Sequence, residues 1–178
     1  GKDANVQREW DAKTRSFVVG GFDIPEAKSD TTWLDKDTLL IGTDWGTGSL
    51  TESGYPYIVK KLKRGQALAQ AVEIYRGKVK DVAAGAYRLD DGVRYHHFLN
   101  RSPTFFTNET SYLADDGLVS KLDLPPKHSL NGIRDGVVYF TIQTPWTPRG
   151  ATRPLTTGSL LSAPLAALKA TRGAIPVT

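Results

Sequence analysis

The residues able to do chemistry are few, and their spacing is poor. Three histidines occur, His96 and His97 side by side and His128 alone, with no cysteine. A nucleophilic serine on a strand-to-helix elbow needs small residues two positions to either side, because the turn is too tight for side chains. Ser49 has Thr47 and Thr51 there, and Ser159 has Thr157 and Leu161, so both read as loop or strand serines. Adjacent strand residues point to opposite faces, so His96 and His97 cannot jointly hold a metal. One is expected in sheet packing and the other toward solvent or a channel, while His128 reads as a linker residue. No His-x-x-x-His and no carboxylate cluster with metal spacing appears. The expectation is therefore no catalytic residue, no metal ligand and no cofactor within this stretch.

Weaker signals have plainer readings. Gly46-x-Gly48 lacks the third glycine, the lysine and the helix of a phosphate loop, which leaves a turn. Lys60, Lys61, Lys63 and Arg64 form a short basic run, which reads as a solvated strand end near a rim, where lysine also blunts edge pairing. Trp10, Trp33, Trp45 and Trp146 share no spacing. Trp33 is expected in packing, whereas Trp45 and Trp146 fall in loops and could line a binding surface.

The elements that would carry these residues are strands. Thr31-Thr32-Trp33-Leu34, the turn Asp35-Lys36-Asp37 and Thr38 to Gly42 make a hairpin. Tyr57 to Lys63 and Ala71 to Tyr75 add two strands, with one helical turn within Gln66 to Ala71. A second set follows: Val82 to Leu89, the turn Asp90-Asp91-Gly92, Val93 to Leu99, Pro103 to Tyr112 and Leu118 to Leu122. In a third set His128-Ser129-Leu130 leads to Asn131-Gly132, followed by a strand over Gly136 to Ile142, a proline-rich loop from Gln143 to Thr157 and a strand at Gly158 to Ser162. A short helix from Pro164 to Lys169 and the start of a fourth strand at Ile175 to Thr178 complete it. Ahead of all three, Asn5 to Trp10 pairs with Ser16 to Val19, and Gly20-Gly21 with Ile24 to Ala27 cross to the next unit.

The polar turns Asp37, Asp91 and Asp135 recur 54 and 44 residues apart. Such spacing suits propeller blades with variable loops. The fold expected is all-β, a partial β-propeller of about three to three and a half four-stranded antiparallel blades. It forms one fragment over 1–178, with the outer hairpin of a preceding blade at 1–19 and blades at 30–76, 78–124 and 125–178, the last strand incomplete. The plainer alternative is one antiparallel sandwich.

Composition agrees with a globular chain. Its 178 residues include 39% hydrophobic and 24% charged side chains, too apolar for a disordered segment. A net charge of +4 is too small to argue for nucleic acid, and no apolar run approaches the roughly 18 residues of a membrane span. Neither nucleic acid nor a membrane is expected as a partner, and the chain reads as soluble. No signal peptide opens it, and Gly1-Lys2-Asp3-Ala4 reads as the interior of something trimmed.

The segment GGFDIPEAKSDTTWLDKDTLLIGTDWGTGSLTESGYPYIVKKLKRG, from Gly20 to Gly65, closely resembles the N-terminal β-propeller of bacterial prolyl oligopeptidase family serine peptidases. So do Arg8-Glu9-Trp10-Asp11, Phe105-Phe106, Asp115-Asp116-Gly117 and Lys121-Leu122-Asp123-Leu124-Pro125. The resemblance implies a two-part enzyme, in which a propeller caps an α/β-hydrolase domain, limits entry to short peptides, and leaves cleavage after proline to a Ser-Asp-His triad. The family's Gly-Gly-Ser-x-Gly-Gly elbow has no counterpart here, so no catalytic residue is carried over.

The parent is thus expected to be a peptidase in the bacterial cytoplasm or periplasm, and this stretch alone to lack its triad. Its implied partners are the hydrolase domain and remaining blades of the same polypeptide and a short peptide substrate. A homo-oligomer through exposed blade flanks is also expected. The competing reading is an independent all-β carbohydrate- or protein-binding module that uses loop tryptophans.

Overall fold

A computed structural model describes residues 3–178 and divides the chain into two compact units, Gly1–Ala86 and Tyr87–Thr178. Nearly all regular structure is antiparallel strand. In the first unit the strands are β1 (Asn5–Arg8), β2 (Trp10–Asp11), β3 (Ser16–Phe17), β4 (Asp23–Ala27), β5 (Asp30–Asp35), β6 (Thr38–Gly42), β7 (Ile58–Lys63) and β8 (Val72–Arg76). The last four form one sheet in the order β5-β6-β7-β8. Thr38-Leu39-Leu40-Ile41-Gly42 is buried at every position, as a central strand covered on both faces must be. The edge strand β8, beyond β7, is open to solvent on most of its length. Leu39, Ile41 and Leu62 from this sheet pack with Phe22 and Ile24 into one core. The helical turn expected before β8 is a single 3-10 turn, Leu68–Gln70.

The amino-terminal hairpin differs from expectation. Trp10 pairs with Phe17, but the strand opposite β1 is β4, with Gln7 facing Ile24. Residues 19–21 are looped out between them: Val18 donates to the Glu9 carbonyl, Gly21 to that of Val18, and Glu9 to that of Phe22. Asp23–Ala27 is therefore a strand, where the sequence suggested a crossing. Its Pro25 lies at the register shift between the Asn5 and Gln7 pairs, where a missing N–H does least harm to the ladder.

In the second unit, β9 (Ala83–Asp90, beginning in the first unit), β10 (Tyr95–Thr104), β11 (Thr107–Leu113) and β12 (Val119–Lys121) form a sheet in the order β12-β11-β10-β9. A three-stranded sheet follows, β13 (His128–Arg134), β14 (Val137–Ile142) and β15 (Leu160–Pro164), then a short helix α1 (Leu165–Lys169). Phe98, Leu122, Val138, Phe140, Ile142 and Leu168 are the fully buried centre of this unit's core.

One expected boundary moves. Pro103 belongs to the end of β10, because the hairpin turns at Phe105-Phe106. β13 runs through Asn131-Gly132 with a bulge, and the chain reverses at the expected polar turn, Asp135 with Gly136, with φ of 49° and 74°. Two successive positive φ values are the signature of the type I′ turn that matches strand twist. No helix among the described residues is long and apolar enough to cross a membrane.

Candidate functional site

Ser49 is buried in the connection between β6 and β7. Its hydroxyl accepts from the Trp45 amide at 2.8 Å and lies 2.7 Å from the Gly46 carbonyl, with the Asp44 carboxylate at 3.1 Å. Gly46 and Gly48 beside it have φ of 105° and 79°, a conformation only glycine adopts without strain. The Gly-x-Gly signal is thus a turn braced by a serine. Ser159 donates to the Thr156 carbonyl at 2.7 Å and likewise closes a local turn.

His96 and His97 are both buried, so of the expected outcomes exposure to bulk solvent applies to neither. His96 Nε2 lies 2.8 Å from an Asp91 carboxylate oxygen, and Nδ1 lies 3.2 Å from the Tyr112 hydroxyl. A carboxylate, an imidazole and a hydroxyl in line have the order of a proton relay. Here, however, Asp91 also accepts from the Val93 and Arg94 amides at 2.8 Å each and so closes the loop between β9 and β10. The Arg94 amide, His96 and the Val93 amide together hold the Asp91 carboxyl down at about 2. The arrangement is a clasp between a loop and a sheet, with the tyrosine ring packed on Phe98.

His128 lies on β13, not in a linker, and is buried. Nδ1 donates to the Pro125 carbonyl at 2.6 Å, which leaves Nε2 to accept from the Thr110 hydroxyl at 2.8 Å. Desolvation lowers its pKa, against the opposing pull of the Pro125 carbonyl. A neutral, doubly bonded imidazole ties β11 to β13. Among the described residues no group of three or more His, Asp or Glu side chains is placed to hold a metal ion.

The loop tryptophans proposed as a binding surface are anchored. Trp45 donates Nε1 to the Ile58 carbonyl at 3.0 Å under the Lys60 ammonium, 4.5 Å from its ring. Trp146 meets Phe140 edge to face at 5.8 Å. Two members of the basic run are engaged too, Lys60 over the Trp45 ring and Arg64 in a fork with Glu9. Beside that fork lies a concavity of about 440 Å³ whose walls include Trp10, Trp33, Phe22, Ile24, Arg8 and Gln7. Gln7 is already committed, donating to the Ser29 carbonyl and accepting from Thr31. Sequence reasoning left this concavity unseen, because its walls come from both sides of the looped-out residues 19–21.

No family model matches the chain. Its sequence is 38% identical over 156 residues to the uncharacterized peptidase y4nA of Sinorhizobium fredii, covering 83% of this chain and 21% of that protein. It is 25% identical over 159 residues to the uncharacterized peptidase RP174 of Rickettsia prowazekii, covering 82% of this chain and 22% of the other. The chain therefore spans about a fifth of the length of these curated relatives. In fold, all of it superposes on 28% of a post-proline cleaving enzyme from Rickettsia typhi, with a TM-score of 0.89 and 22% identity. By sequence the chain is thus similar to two uncharacterized peptidases, and in fold to part of a post-proline cleaving enzyme.

Proposed function

We propose that the chain is a non-catalytic, propeller-type portion of a prolyl oligopeptidase-like serine endopeptidase, in which successive four-stranded sheets act as blades that gate short peptides toward an α/β-hydrolase domain elsewhere in the polypeptide. One observation carries this reading: 38% identity to a peptidase runs along 83% of a chain whose Ser49, Ser159, His96 and His128 are all held in local structural bonds. Its partners are the hydrolase domain, the remaining blades and the peptide in transit. The isolated stretch self-associates through flanks that neighbouring blades would cover. The binding-module reading loses its support, because Trp45 and Trp146 are held in packing rather than presented.

An assay of this chain on a short proline-containing chromogenic peptide tests the proposal. Turnover at background is expected. Hydrolysis that a serine-directed modifier abolishes would overturn it.

A further inference from the structure

Asp91, His96 and Tyr112 are all buried, and their bonds dictate where protons can sit. One Asp91 oxygen accepts from the Val93 and Arg94 amides, and the other lies 2.8 Å from His96 Nε2. With its carboxyl held down at about 2, Asp91 is ionised at neutral and mildly acidic pH and can only accept. Nε2 must therefore carry a hydrogen. The other ring nitrogen is free to change. A neutral ring has a lone pair at Nδ1, and a charged ring has an N–H there. The partner of Nδ1, at 3.2 Å, is the Tyr112 hydroxyl, which can donate to the lone pair and accept from the N–H.

The surrounding charges leave the ring its own counter-ion. Asp91 is in direct contact with it. Arg94 and Asp115, which both act on Tyr112, pair with each other at 3.0 Å. The Lys169 ammonium lies 4.8 Å from the Tyr112 ring, and the Arg134 guanidinium donates to the Asp91 carbonyl at 2.9 Å, so each is held away from the imidazole. His97, next along β10, points to the opposite face. His128 is built differently, since its Nδ1 partner is the Pro125 carbonyl, which brings no charge.

We infer that Asp91, His96 and Tyr112 form a latch that keeps the loop between β9 and β10 closed in both charge states of His96. When the ring takes up a proton, the tyrosine hydroxyl reverses from donor to acceptor, and the carboxylate already in place balances the charge. Acidification through the histidine range then adds a buried charge without releasing the Val93 and Arg94 amides. The same arrangement lacking the carboxylate would be a pH switch.

Imidazole and amide NMR of this chain between about pH 8 and about pH 5 tests the inference. At the upper end the His96 ring should be the Nε2–H tautomer. As it titrates, the Val93 and Arg94 amides should keep their exchange protection within about 3-fold. An Nδ1–H tautomer at high pH, or a loop that opens as His96 charges, would overturn the inference. Asp91→Asn gives an independent readout. Its side-chain oxygen can still accept from the two amides, while its NH2 donates to a neutral Nε2 and the ring turns an Nδ1–H toward the Tyr112 oxygen. A charged ring would then set an N–H against that NH2. The variant should hold the loop at high pH and lose at least about 10-fold of its protection at low pH. Protection in the variant that matches the parent at both ends would show that the carboxylate does not balance the charge, and would end the assignment.

Discussion

Glu9 and Arg64 stand 55 residues apart and meet as a fork, Nη1 to Oε2 at 2.7 Å and Nη2 to Oε1 at 3.0 Å. Arg64 also donates Nε to Asp37 at 3.0 Å and Nη2 to the Lys36 carbonyl at 2.9 Å, while Glu9 accepts from the Phe22 amide at 3.0 Å. One guanidinium thus joins the turn after β5, the end of β7 and the loop preceding β4. Such two-bonded pairs gain from geometry as well as charge.

Glu9→Gln is expected to cost about 1–2 kcal/mol at neutral pH in urea unfolding. The Arg64 hydrogen bonds hold the Glu9 carboxyl below its ordinary 4.5. A carboxyl lowered in the folded state stabilises above its unfolded pKa, and that contribution is lost as pH falls through the folded value. The gap between parent and variant should therefore be full above pH 4.5 and shrink below it. Arg64→Lys keeps the charge and loses the fork, so it should resemble Glu9→Gln rather than the parent.

His128 gives a second pH step of different origin. Burial lowers its pKa from 6.5, so the unfolded chain takes up the proton first as pH falls. Stability is then complete above about pH 6.5 and declines below it until the folded imidazole also protonates. Chemical unfolding at pH 7.5 and pH 5 should show this loss in the parent. His128→Gln should flatten the slope whatever its effect at pH 7.5, and an unchanged slope would assign the step to another group.

Gly92 and Gly117 make a controlled pair, each in a hairpin loop with φ of 88°. A Cβ at Gly117 meets nothing within 4 Å, whereas one at Gly92 would collide with the Arg134 guanidinium, which donates to the Asp91 carbonyl at 2.9 Å. Gly117→Ala should cost about 1 kcal/mol, the left-handed backbone alone. Gly92→Ala should cost about 2 kcal/mol, because the arginine must also leave its carbonyl. In an Arg134→Ala background the excess should vanish, which a double-mutant cycle reads directly.

What the sequence revealed and concealed divides along one line. Local alternation and turn residues placed β5 to β8 within a residue or two, and the Asp90-Asp91-Gly92 and Asp115-Asp116-Gly117 turns are where expected. The strand at Asp23–Ala27 was hidden, because Gly20-Gly21 and Pro25 read as an exit. In the fold the glycines are looped out and the proline sits at a bulge. The histidines were misplaced for a different reason. Partners 16 and 18 residues away, Tyr112 and Thr110, decide that His96 and His128 are buried, and no local pattern carries that information.

Two phenylalanines show how far burial, rather than residue type, sets energetic weight. Phe140 on β14 is fully buried and meets Trp146 edge to face, while Phe105 at the tip of the β10–β11 hairpin is 85% exposed. The tip is closed without its ring, by the Thr104 and Thr107 hydroxyls at 2.8 Å and by the Phe106 amide on the Thr104 hydroxyl at 3.2 Å. Phe140→Ala should therefore cost about 3–5 kcal/mol, the loss of transfer free energy plus the cavity left behind. Phe105→Ala should stay within about 0.5 kcal/mol of the parent. Urea midpoints at unchanged m-value would separate the two. A large loss from Phe105→Ala at low protein concentration would mean that its ring packs against the body of the chain.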